Sequence, residues 1–232
     1  MQHRTTGGMT DPIVSATYVR AAIVALAPLV LLAAFAYHPH IIMLPDAEAV
    51  AHAVHADTTR WAIAHWTLAI GCALMAAAFV HVREYLRDAG DERWSAIALP
   101  LLVFASAVYA ILPGMEFTVL AAARTGGDVV ATQGAIEHWF KPTMALSGVV
   151  NAVGLFFLAK AILRSDALRE GPRGLVIVAL GVMAVSRLVP VGPVHFYVQG
   201  IAAVVALWPI ALDIARQATA RRPRELEGVL AR

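Results

Sequence analysis

The chain has 232 residues, of which 59% are hydrophobic and 15% charged, with a formal net charge of +2 and a mean hydropathy of +0.69. That balance is too apolar for an ordinary soluble domain, and no basic patch interleaved with aromatics offers a footing for nucleic acid. Cys72 is the sole cysteine, which excludes an intrachain disulfide and a cysteine-rich metal cluster.

In chain order, "MQHRTTGGMT" opens a polar N-terminus over residues 1–16, expected to be mobile and cytoplasmic. Arg20 and "AAIVALAPLVLLAAFA" follow. The segment resembles a secretory signal with small residues at Ala34–Ala36, but it is read here as a retained first helix, about 17–37. The loop 38–60 carries "HPH" and "AEAVAHAVHA". In a short helix, His52 and His55 would share a face with Asp57 just beyond, forming a surface metal site, a lid or a solvated amphipathic helix. Five more apolar runs follow at roughly 61–82, 95–114, 139–162, 174–190 and 195–215, each long enough to cross a hydrocarbon core as a helix. A basic tail, 216–232, ends the chain. Period-two alternation is missing, which argues against a β-barrel.

The fold class expected is therefore all-α: a polytopic bundle forming a single membrane domain, 1–232, with its six transmembrane helices over 17–215. Orientation follows from the basic residues. With both termini cytoplasmic, only Arg60, Arg124, Lys141 and Arg187 of the 18 Lys and Arg fall on the outer side. A bacterial inner, or plasma, membrane protein with N-in and C-in topology is the expectation.

On that topology the second helix of each hairpin starts at the outer face. The three starts read "AIAHWTLAIG", "AIEHWFKPTM" and "GPVHFYVQGI", each with a histidine followed by an aromatic residue. Proline-containing exits ("YHPH", "ILPG", "LVPVGP") precede them, and basic segments close the inner ends. The pattern predicts an internal repeat: three helical hairpins in pseudo-threefold arrangement, with the shared site where the repeats meet. Boundary aromatics serve equally as membrane anchors, and alanine matches carry little information here.

Seven of the nine histidines, all but His3 and His81, lie in the outer half. Neutral imidazole is both a metal ligand and a proton carrier. Convergence of His65, His138 and His195 would form an open tris-histidine site for zinc, copper or iron, leaving a position for water or substrate. Glu116 and Asp57 are the candidate catalytic carboxylates, as base or as orienters of the ligands. A carboxylate such as Glu116 within "GMEFTVLAAA" is costly unless paired. Haem b is the second cofactor expectation, with two of the histidines axial and Arg187 and Lys141 meeting the propionates. The alternative for Arg187 is snorkelling to the headgroups. Met43, Met115 and Met144 also belong to the outer half, and thioethers favour Cu(I). Asn151, mid-membrane among small residues, is expected in an interhelical hydrogen bond.

The function these features predict is a membrane protein with a histidine-rich metal or haem site open to the outer face, as a metalloenzyme or a redox protein. Its partners would be the bilayer and a small molecule at the outer face, and nothing in the sequence opposes an oligomer. Two other classes fit the same residues. One is a small-solute or ion transporter with histidine proton relays, disfavoured by an inner half poor in polar residues. The other is a non-catalytic subunit of a larger membrane complex.

Overall fold

The structure, a computed structural model, describes residues 12–169 and 171–230. Most of the N-terminal segment expected to be mobile, residues 1–11, lies outside the described residues. Seven α-helices account for nearly all of the described chain: α1 (Pro12–Tyr37), α2 (Ala47–Ala56), α3 (Thr58–Asp88), α4 (Trp94–Thr125), α5 (Val129–Arg164), α6 (Arg173–Ser186) and α7 (Gln199–Leu230). A π-helical turn, Val194–Val198, runs directly into α7. The segment expected as a basic tail continues α7 as far as Leu230.

Aspartates start the helices at one end of the bundle. Asp57 Oδ1 accepts from the main-chain N–H of Thr59 (3.0 Å) and Arg60 (2.8 Å) at the head of α3. Asp46 and Asp128 do the same for α2 and α5 through Ala49 N and Ala131 N. Each satisfies donors that a helix start leaves unpaired. Gly126 closes α4 at φ 76°, a left-handed position that suits glycine.

Five helices contain segments long and apolar enough to cross a membrane: Ser15–Tyr37, Thr58–Asp88, Trp94–Thr125, Val129–Arg164 and Val194–Gln217. The sixth apolar helix, α6, has 14 residues, about 21 Å at 1.5 Å per residue. A hydrocarbon core is about 30 Å thick. The helices pack in a closed order: α1 on α3, α3 on α4, α4 on α5, α5 on α6, α6 on α7, and α7 back on α1. Glycines allow close approach around this ring, as small residues do in membrane bundles. Gly71 of α3 lies against Leu31 of α1, Gly154 of α5 against Leu102 of α4, and Gly200 of α7 against Leu32 and Phe35 of α1. The outward faces stay apolar, with Phe156, Val178 and Val185 each at least 60% exposed. Such a surface fits a lipid surround.

The two ends of the bundle differ. At the histidine end, α2 packs across α3, α4 and α5. The loop before it is tied to the α6–α7 connection by an antiparallel bridge between Met43 and Val191. There Leu44 N donates to Pro190 O (3.0 Å) and Gly192 N to Ile42 O (2.8 Å). At the opposite, basic end, Tyr85 donates to Asp213 Oδ2 (2.6 Å) and accepts from Leu168 N (3.0 Å). Arg173 holds the Ser165 and Ala167 carbonyls of the α5–α6 connection.

Candidate functional site

A cavity of about 40 Å³ lies at the histidine end, room for a few water molecules. His38, from the exit of α1, His65 of α3 and His195 of the π-helical turn line it, together with Tyr109 and Glu116 of α4 and Gln133 of α5. All six are buried. Apolar residues complete the wall, among them Trp61, Phe196 and Met144, and Val50 of α2 closes it from above.

His38 and His65 are held alike. Nδ1 of His38 lies 2.8 Å from Pro39 O, and Nδ1 of His65 lies 2.7 Å from Trp61 O. A carbonyl only accepts, so both rings carry their proton on Nδ1 and leave Nε2 as a lone pair. Neither Nε2 has a hydrogen-bond partner among the described residues. The ring centroids are 5.0 Å apart in an edge-on arrangement. Burial pushes His38 down to about 4, with the nearby Arg60 charge adding to the effect and the bond to Pro39 opposing it. Its ring is therefore neutral, and its lone pair available, at neutral pH.

His195 is engaged differently, with Nε2 2.8 Å from the Tyr109 hydroxyl. The π-helical turn that carries it is a local widening of the helix of the kind that recurs at functional sites. Glu116 is 5% exposed. Its Oε1 accepts from Gln133 Nε2 at 3.3 Å, while its Oε2 and Gln133 Oε1 have no partner among the described residues. Two buried acceptors side by side call for a donor: a proton on the carboxyl, or a donor or cation brought by a ligand.

The histidines selected by sequence are thus not gathered as a trio. His65 and His195 reach the cavity, but His138 is exposed on the outer side of α5, one residue from an exposed Trp139. Among the described residues, no three His, Cys, Asp or Glu side chains converge closely enough to enclose one metal ion. Asp57 is exposed and serves as a helix cap, away from the cavity wall. Lys141 is also exposed and pairs with Glu137 at 2.7 Å, one helical turn away. His52 and His55 point to solvent from α2, whose Val50, Ala51 and Val54 face the bundle, the pattern of an amphipathic cover.

Arg187 does not snorkel. It is 6% exposed, and its guanidinium carbon lies 3.8 Å from the centroid of the Tyr109 ring. It lines a second, deeper cavity that shares Tyr109 with the first but contains none of the histidines.

Sequence reasoning gave Gln133 and Tyr109 no role and noted His38 only as part of "HPH". One signal for Gln133 was present. The "TGGD" turn at 125–128 folds α5 back on α4, which puts Glu116, nine residues before it, and Gln133, five residues after it, at the same end of one hairpin. Comparison with protein-family models, with curated proteins and with solved structures found no match, so the reading of this site rests on its own geometry.

Proposed function

We propose that this protein crosses the membrane six times, with both termini cytoplasmic, and binds one transition-metal ion at its histidine end, on the outer side, through His38 and His65. The observation that carries the reading is the pair of buried imidazoles lining one cavity, whose Nδ1–H groups are fixed on main-chain carbonyls while neither Nε2 has a hydrogen-bond partner among the described residues. Metal-ligating histidines are oriented in this way, the second nitrogen donating to a carbonyl or carboxylate. Ring centroids 5.0 Å apart are close enough for two imidazoles to share one ion. A haem is far larger than this cavity of about 40 Å³. The cavity therefore favours a directly bound ion over haem.

Met144 in the same wall adds a soft sulfur, which favours Cu(I) among the imidazole-binding metals. Remaining coordination positions would go to water or a small molecule, and Glu116, in the same wall, would be the base that takes a proton from it. Six crossings are supported by the closed neighbour order, in which the short α6 takes its place between α5 and α7. The basic residues at the opposite end support the orientation. The three hairpins follow the same order, although the outward position of His138 shows that their side chains are not equivalent.

A small-solute carrier is the second reading, and one observation favours it. Tyr109 is a shared wall between the two cavities, so polar groups continue below the histidines.

The test is to purify the protein and record its visible spectrum and elemental content on one sample. We expect about one copper, zinc or iron per chain, no Soret band, and loss of the metal in H38A. A Soret band would select haem instead. A metal-free protein that takes up neither Cu(I) nor Zn(II) on titration would defeat the reading.

A further inference from the structure

The deeper cavity shares only Tyr109 with the histidine-lined one and has a different character: a guanidinium and an amide line it, and no histidine does. It measures about 10 Å³, room for one water-sized particle, and lies among α1, α3, α4, α5 and α6. Arg187 and Asn151 line it, with Ser106, Cys72 and Tyr109 beside them and apolar side chains closing the rest. No aspartate or glutamate is in its wall.

The donors here lack acceptors. Arg187 Nε is buried without a hydrogen-bond partner, and the guanidinium makes one long bond among the described residues, from Nη2 to Ala105 O at 3.5 Å. Asn151 is 1% exposed, and its Nδ2 also lacks a partner among the described residues. The Ser106 hydroxyl is already committed to Leu102 O (2.8 Å), and that of Tyr109 to His195 (2.8 Å). A guanidinium does not give up its proton in a protein. With no carboxylate in the cavity wall, burying it inside a membrane bundle is costly, and the stacking on Tyr109 offsets only part of that cost.

We propose that this cavity binds a small monovalent anion of halide size, held by the Arg187 guanidinium and the Asn151 amide. The buried charge and the unpartnered donors both favour an acceptor that the described residues do not provide. The small cavity favours a monatomic anion, chloride or bromide, over phosphate or a carboxylate-bearing ligand.

The experiment uses the purified full chain in detergent, exchanged into gluconate and titrated with chloride at constant ionic strength, with thermal unfolding as the readout. A saturable rise in Tm is expected for the wild type, because a ligand of the folded state stabilises it by mass action. R187Q is expected to lose the rise. Should that variant fail to fold, N151D supplies a second test. Its carboxylate replaces the anion beside the guanidinium, so its Tm should be insensitive to chloride. The double variant H38A/H65A should keep the chloride response, which separates this site from the metal site. Crystals grown in bromide should show an anomalous peak between Arg187 and Asn151. The proposal is overturned by a wild-type Tm equal in chloride and gluconate, by a chloride response that persists in N151D, or by a cavity without bromide signal.

Discussion

"AIAHW" of α3 and "AIEHW" of α5 share four of five residues but occupy opposite environments. His65 is 2% exposed and hydrogen-bonded to Trp61 O, whereas His138 is exposed beside an exposed Trp139. The difference comes from the phase of each helix. In α3 the inward stripe runs through Trp61, His65, Leu68, Cys72 and Met75, at the three- and four-residue steps of one helical face, and the histidine falls on it. In α5 the stripe runs through Gln133, Phe140, Ser147, Asn151 and Leu158. His138 lies two residues before Phe140, which turns it to the far side at about 100° per residue. A local motif therefore does not determine which way a side chain points in a membrane helix; the apolar and polar stripe on either side does.

The contrast can be broken most sharply by chemical access. Diethylpyrocarbonate applied to the folded protein in detergent should modify His138 to completion while His65 and His195 stay intact, as mapped by mass spectrometry. Early modification of His65 would mean that the cavity is open and the phase argument wrong. A smaller but distinct effect is expected where the cover is fastened. A methyl group at Gly192 would collide with the Ile41 carbonyl, so G192A should destabilise the protein by about 2 kcal/mol, the usual scale of overpacking. Denaturant unfolding measures this, and an unchanged midpoint would show that the bridge between Met43 and Val191 is dispensable.

The two carboxylate candidates separate at the next scale. D57A should cost about 1 kcal/mol through loss of the α3 cap and leave metal content unchanged. A fall in metal content would return Asp57 to the site. The smallest effect is expected on the outward face of α5. Lys141 and Glu137 form an exposed pair at 2.7 Å, so K141A should change stability by at most about 0.5 kcal/mol. A larger loss would place that face in an interface rather than in lipid or water.

The helices were largely legible because apolar runs and their basic flanks report membrane segments strongly. The run read at 174–190 is a 14-residue helix followed by a turn, since Pro190 and Pro193 end the regular backbone early. The site was legible in part. Glu116 and Arg187 stood out as charges embedded in apolar sequence, and both are buried. His38 was hidden because its loop has no periodicity; the Met43–Val191 bridge, a contact between distant segments, brings that loop over the cavity. The outward turn of His138 could have been read from Gln133, Ser147 and Asn151. These polar residues in a membrane helix must face the bundle, and they fix the phase of α5.

The most direct test of the central claim is the metal content per chain of H65A and H138A, purified side by side and reloaded with Cu(I) or Zn(II) under identical conditions. The account predicts that H138A retains the wild-type stoichiometry while H65A loses most of it. Equal loss in both variants, or loss in H138A alone, would contradict it.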